Sequence, residues 1–312
     1  MIARVAAIWV VSDGKPGHLN QSLGLAEALQ RLRPNLEIAT LSPLARRDLL
    51  ALLVRRAPRS LLPDSKPAAL LCAGHATHLT TLLLARYCAA PSVVMMRPSL
   101  PLSWFDYALL PRHDRPPQHS KLLQTEGALN RMQPAAKRPD SGVILLGGAS
   151  RHYHWDEPQL VAKVAALVGS DQRHWQLSGS RRTPASTLNA LAALNLPNLQ
   201  ICPLESQPDG WLVDQLSHSQ RCWVSCDSVS MVYEALTAGS NTGLFALPEK
   251  GGKNRVAGGI EALRTSGQVA WFDGALPPLI VLWVLLVLLV LLSLVLALLV
   301  LLALLVLLVL LV

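Results

Sequence analysis

Ser12-Asp13-Gly14-Lys15-Pro16-Gly17-His18 joins two segments of different pattern and gives the first clue to how this chain folds. Ahead of it runs an apolar segment, Val5-Ala6-Ala7-Ile8-Trp9-Val10-Val11. Behind it, Leu19, Leu23, Ala26, Leu29 and Leu32 recur near the helical period. Strand, glycine-broken turn and helix in that order form the βα crossing where α/β proteins place ligands, outside the carboxyl ends of their strands. Gly14 and Gly17 let the backbone turn sharply and approach a ligand. A helix beginning near His18 aims free N–H groups at an anion. The stretch is neither a Walker loop nor a GxGxxG, and a plain βα turn with an incidental His is the competing reading.

Outward from this unit the alternation continues. Strand-like Leu36–Leu41 and helical Leu44–Val54 lead to strand-like Ala68–Ala73. A second glycine-broken turn, Gly74-His75-Ala76-Thr77-His78, opens an apolar helix over Leu79–Ala89, and short strands follow at Ser92–Met96 and Tyr107–Leu110. Gln133–Asp140, with two prolines and no periodicity, reads as a linker. The pattern then restarts with a strand at Gly142–Leu146, a helix at Glu157–Val168, strands at Trp175–Leu177, Leu199–Cys202 and Cys222–Ser225, and helices between them. Such alternation means parallel sheets wound with helices. The expected architecture is α/β: two Rossmann-like domains, residues 1–133 and 141–275, facing a cleft.

At 312 residues, two domains is also the prior from length. Charge is uneven: residues 1–140 carry a net +9 and residues 141–312 a net −1. A basic first half suits an anionic partner, either a phosphorylated substrate or an acidic membrane surface. A solvated basic face is the alternative. The basic residues are scattered and lack interleaved aromatics, so nucleic acid is not expected. Five cysteines, with no CxxC or Cys/His metal spacing, point to a reducing compartment and a cytoplasmic location, with attachment to the inner face of the membrane open. No secretory leader is read ahead of the first strand-like run.

Chemistry concentrates in a few places. In Asp227–Ala235, the spacing of Val229, Val232, Tyr233 and Leu236 predicts a helix, with Asp227 or Ser228 as N-cap and Gly239 as stop. Ser230 and Glu234 lie one turn apart near its N-terminal end. Hydroxyls and free N–H groups there suit a phosphate, and a carboxylate one turn on suits a ribose diol. A capped helix with a solvated Glu is the alternative. Gly147-Gly148-Ala149-Ser150 and Ser178-Gly179-Ser180-Arg181-Arg182 are two further phosphate-sized turns, the second with guanidiniums suited to a diphosphate. His152-x-His154 has metal-like spacing but no third ligand, so no metal site is expected. His18, beside Asp13, is the candidate base toward an acceptor hydroxyl.

Together Ser12–Ser22, Ala73-Gly74-His75-x-Thr77-His78, Arg97-Pro98-Ser99-Leu100, Pro111-Arg112-His113-Asp114, Ser180–Pro184 and Asp227–Met231 resemble the bacterial branch of the mitochondrial-fission "elongated mitochondria" family, over about residues 5–275. That resemblance implies a GT-B architecture and glycosyltransferase activity. It places a nucleotide diphosphate-sugar on the second domain and a hydroxyl acceptor, a cell-envelope glycan or lipid, on the first, with no required metal or cofactor. It matches Glu234 to a donor-ribose ligand and His18, by position, to a base. The expected catalytic pair is His18 and Asp13. The expected binding residues are Gly14, Lys15, Gly17, Asn20, Gln21, Gly74, His75 and His78 on one side, and Gly147, Gly148, Ser150, Ser180, Arg181, Arg182, Asp227, Ser228, Ser230 and Glu234 on the other. A nucleotide-sugar epimerase or hydrolase, or a non-catalytic membrane-associated scaffold, are the alternatives.

Residues 279–312 depart from that family pattern. Among their 34 residues only Ser293 and the Trp283 indole are polar. As one helix they would run ~51 Å against ~30 Å of bilayer hydrocarbon, with no Lys or Arg at either end. A tail anchor and a low-complexity, unnatural terminus are both open readings.

Overall fold

The computed structural model describes residues 6–54, 62–114, 116–251 and 255–272. The expectations for Val5 and for the apolar tail lie outside them. Residues through Trp271 make one compact unit. Its first half contains β1 (Ala6–Val11), α1 (Pro16–Leu32), β2 (Glu37–Leu41), α2 (Arg46–Leu53), β3 (Lys66–Ala73), α3 (His75–Cys88), β4 (Ser92–Met95), β5 (Tyr107–Pro111) and β6 (Leu122–Thr125). The strands form one sheet in the order β2-β1-β3-β4-β5-β6, parallel throughout.

The second half contains β7 (Arg138–Leu145), α4 (Glu157–Gly169), β8 (His174–Ser178), α5 (Ala185–Ala193), β9 (Leu199–Ile201), α6 (Trp211–His218), β10 (Ser219–Ser225), α7 (Val229–Thr237), β11 (Asn241–Phe245), α8 (Arg255–Thr265) and β12 (Ala270–Phe272). Its sheet runs β12-β11-β10-β7-β8-β9, with β11 through β9 parallel. Two helix-wound parallel sheets are the α/β, GT-B-like arrangement that the alternation and the resemblance both implied.

Parallel strands are apolar on both faces because helices cover both. In β1, Ile8 and Val10 pack with Ala26 of α1, while Ala7 and Trp9 pack with Leu52 of α2 and Leu84 of α3. Crossings of this kind leave the carboxyl ends of β1, β3 and β10 open, and the candidate residues sit there.

Three local expectations change. α3 begins at His75, not Leu79, so the run expected as a turn is the helix's first turn. The Thr77 hydroxyl donates to the Gly74 carbonyl and ties that turn down. β7 begins at Arg138, inside the stretch read as a linker. There Lys137 Nζ donates to the carbonyls of Leu216, Ser217 and Ala238 at 3.1, 2.7 and 2.6 Å, anchoring the segment at the feet of α6 and α7. β6, β11, α8 and β12 have no counterpart in the sequence reading.

Candidate functional site

α1 starts with Pro16 at its first positions, where a missing N–H costs nothing. That sets Asp13 and His18 on either side of the turn. His18 Nδ1 lies 3.0 Å from each Asp13 carboxylate oxygen. The Lys15 backbone N–H donates to Asp13 Oδ1 at 3.2 Å, and the Lys15 ammonium stands 3.8 Å from Oδ2. Burial pushes the Asp13 carboxyl up, but the His18 hydrogen bond, the Lys15 N–H and the electrostatic pull of the His18 and Lys15 side chains outweigh it and hold it below the usual carboxylate range. An ionised Asp13 accepts from Nδ1–H, which leaves the His18 Nε2 lone pair free.

Gly74 makes this pairing possible. It precedes α3 at φ +90°, and a Cβ there would run into the His18 ring and approach Asp13 Oδ2 at 3.1 Å. His75 is exposed at the head of α3. His78 is buried, with Nδ1 3.2 Å from Ser99 Oγ and its ring edge-on to Phe105 at 5.6 Å. Burial, and then the charges of His75 and His18, lower the His78 pKa. His78 is therefore a neutral core histidine behind the turn. Gln21 Nε2 donates to Met96 Sδ at 3.3 Å, joining α1 to the loop after β4.

In the second half the glycine turn and the Asp227 turn meet in one closed knot. Gly148 N–H donates to Asp227 Oδ2 at 3.0 Å, and Gly147 N–H to Ser225 Oγ at 2.7 Å. Ser225 Oγ donates in turn to Asp227 Oδ1 at 2.7 Å. Arg182 spends its guanidinium on Asp227, 3.1 Å away, and on the carbonyls of Gly148 and Ala149. Ser180 Oγ donates to the Gly147 carbonyl at 2.5 Å. Burial raises the Asp227 pKa, against hydrogen bonds from Ser225, Gly148 and Arg182 that lower it.

The Gly148 amide and Arg182, expected to face a phosphate, thus face a carboxylate of their own chain, and the Gly147 amide faces the Ser225 hydroxyl. Ser150 likewise accepts from the N–H groups of His152 and Tyr153. His152 and His154 are held by backbone pairing to Lys250 and Pro248, and among the described residues no His/Cys/Asp/Glu group is arranged to hold a metal. Asp227 does not cap α7. Ser228 occupies the N-cap position, and its hydroxyl makes no capping hydrogen bond. Gly239, at φ +75°, ends the helix as its sequence position predicts.

Between the two halves lies a cleft of about 600 Å³. Gly17, Asn20 and Gln21 of α1 line one side, and Ser180, Arg181, Ser230 and Glu234 the other. Leu204, Leu212, Val213 and Met231 supply an apolar wall. His18, Asp13, Gly14, Lys15, Gly74, His75 and His78 lie off this lining, as do Gly147, Gly148, Ser150, Arg182, Asp227 and Ser228. Of the two arginines, Arg181 is the one at the cleft.

Asn20 Nδ2 donates to Glu234 Oε1 at 2.9 Å, so the residue matched to a donor ribose bonds the opposite half. Burial pushes the Glu234 carboxyl up to about 7, although Asn20 pulls it down. The sequence reading missed Asn130, whose amide donates to the Tyr233 carbonyl and to Thr237 Oγ1 at 3.3 and 3.0 Å. It also missed Gln207, which lines the cleft and donates to Ser178 Oγ and to the Cys202 carbonyl. Neither sits in a motif, and no local signal marks either.

No curated protein is significantly similar in sequence. Among solved structures, a Listeria monocytogenes protein assigned as a UDP-N-acetylglucosamine 2-epimerase is similar, with TM-score 0.53 and 12% identity over 86% of this chain and 84% of that one. Acinetobacter baumannii MurG has TM-score 0.46 and 14% identity over 91% and 90% of the two chains. E. coli ADP-heptose LPS heptosyltransferase II has TM-score 0.46 and 12% identity over 77% and 84%. At such identity the likeness to the Listeria protein is one of fold. The family described as Mitochondrial fission ELM1 matches residues 16–283, which take in nearly all of both sheets, and this protein belongs to that family.

Proposed function

We propose that this protein is a glycosyltransferase that moves a sugar from a nucleotide diphosphate-sugar to a hydroxyl acceptor, a glycan or a lipid, at the cytoplasmic side of the membrane. The observation that carries the reading is the cleft itself. One wall offers Ser230 and Glu234 of α7 together with Arg181; the other is the first turns of α1, where Gly17 and Leu19 line the cleft on either side of His18 in sequence, and His18 is held by Asp13. The second half takes the donor and the first half the acceptor. The UDP-sugar named for the Listeria protein agrees with such a donor.

In this mechanism Asp13 holds Nδ1–H, and His18 Nε2 removes the acceptor's hydroxyl proton as that oxygen attacks the anomeric carbon. The bond from that carbon to the diphosphate breaks, and the diphosphate leaves with the electron pair. The first-turn N–H groups of α7, the hydroxyl of Ser230, and Arg181 stabilise its charge. Gly147, Gly148 and Arg182 set the loops in place. No resident cofactor or metal enters this scheme. The five cysteines, all free, suit a reducing compartment.

Calorimetric titration of the full chain with nucleoside diphosphates and nucleotide sugars tests the donor half. Saturable binding that Glu234→Ala weakens about tenfold, one charge-assisted hydrogen-bond pair's worth, is the expected result, and binding indifferent to Glu234 would remove that assignment. The Listeria likeness favours an epimerase as the second reading. Free sugar or an epimer formed with no acceptor present would decide for it.

A further inference from the structure

The first sheet's face opposite α1 is covered by a row of elements in sheet order: α2, then α3, then the short turn Leu102–Trp104. Their inner residues, among them Leu52, Leu84 and Leu102, fill the core. Their outer surface is also apolar, which is unusual for elements that already have a buried side. On α2, Leu50 and Leu53 are 64% and 63% exposed and fall at i and i+3, and Val54, which caps the helix, is 68% exposed beside them. On α3, which packs against α2, Leu79 and Tyr87 form the next exposed stripe, and Trp104 beyond it is 59% exposed.

The charges on this row have one sign in excess. Arg46 and Arg47 open α2 and Arg86 lies in the last turn of α3, all exposed. Asp48 is the single carboxylate on α2, 3.7 Å from Arg47, and α3 has none.

We infer that the outer face of α2, α3 and the Leu102–Trp104 turn is a peripheral docking surface for an anionic lipid bilayer. The surface is made of convex helix backs, and fluid acyl chains need no shaped complement, whereas a protein partner does. Leucines with an exposed Trp and Tyr among guanidiniums are what a headgroup boundary accepts, apolar side chains below and cations at the phosphates. Among the described residues no helix is long and apolar enough to cross a membrane. The inference is independent of the sugar-transfer proposal, since it uses none of the cleft residues.

Co-sedimentation of the full chain with phosphatidylcholine vesicles, and with the same vesicles containing about 30% phosphatidylglycerol, tests it. The apolar segment 279–312 would add partitioning common to both vesicles, so the readout is the excess on the anionic ones. Arg46→Gln with Arg47→Gln should weaken anionic-vesicle binding about thirty-fold, the ratio that ~1 kcal/mol per basic side chain converts to. It should leave neutral-vesicle binding and the circular dichroism spectrum unchanged. Leu50→Gln with Leu53→Gln should lower binding to anionic vesicles as well. Equal partitioning of wild type and both variants would overturn the inference. So would variants that change only self-association, measured by sedimentation velocity without vesicles, because that result assigns the face to a second copy of the chain.

Discussion

In the proposed mechanism His18 acts only in the tautomer that Asp13 selects, so the two residues should fail differently when changed. His18→Ala removes the proton acceptor and should lower the transfer rate about 10²–10⁴-fold, with nucleoside diphosphate affinity unchanged by calorimetry. Asp13→Asn offers Nδ1 an amide instead of a carboxylate and frees the wrong tautomer. Its rate should fall as well, with a pH–rate profile displaced from the wild type's. Glu234 makes a second, independent prediction. Burial raises its carboxyl from the ordinary carboxylate value to about 7 in the folded chain, so folding favours the protonated form. That contribution is complete below the unfolded pKa and is lost as pH rises through the folded one. Thermal stability should therefore decline between about pH 4.5 and pH 7. Glu234→Gln, which keeps an acceptor for Asn20 but cannot ionise, should flatten that decline in melting scans at pH 5 and pH 8. Identical pH dependence in the two proteins would mean that water reaches the carboxylate freely.

The turn between β3 and α3 shows how an element is set by a single residue's missing side chain. Gly74→Ala must accept φ +90° and place a methyl in the His18 ring, so it should cost about 1–3 kcal/mol in urea denaturation. Because the obstruction is His18, the double variant Gly74→Ala/His18→Ala should be less unstable than the two single effects predict. Strict additivity would locate the strain in the backbone alone. The same scale explains what the sequence disclosed. β1 announces itself as an unbroken apolar run, α1 and α7 do so because their apolar residues keep the helical period, and Gly239 marks an end by its own chemistry. β6 exposes Leu123 at a sheet edge, and β11 begins Asn-Thr-Gly, so neither carries a clear strand pattern until its neighbours pair with it. Asp227 and Gly148 are 79 residues apart. Their bond arises from β7 and β10 lying side by side, a fact of topology that no local pattern carries. For that reason the phosphate-like look of the glycine turn was misleading, while the Asp13–His18 pair, five residues apart, was visible.

At the scale of the whole molecule, the two halves touch through polar side chains that also belong to the cleft. Asn130, on the stretch leading to the second sheet, donates to Tyr233 and Thr237 of α7. Beside it, Gly127 lies so close to the Tyr233 ring that a Cβ would collide with it. Arg131 reaches back to Glu27 of α1 at 2.6 Å. None of these contacts involves the Glu234 carboxylate. The Asn20–Glu234 bond is different, because it occupies one of the two oxygens that a ribose diol would take. Donor binding and this link between the halves then compete for the same carboxylate. Asn20→Ala removes the competitor, and nucleoside diphosphate affinity should rise by up to about tenfold, the value of one hydrogen bond to a charged group. The gain should be larger at pH 8 than at pH 6, where a carboxyl with a pKa near 7 is mostly protonated and accepts poorly. Calorimetry at both pH values distinguishes this from the opposite role. If affinity falls in Asn20→Ala, the amide is what holds Glu234 in its binding pose, and the bond between the halves serves the donor instead of opposing it.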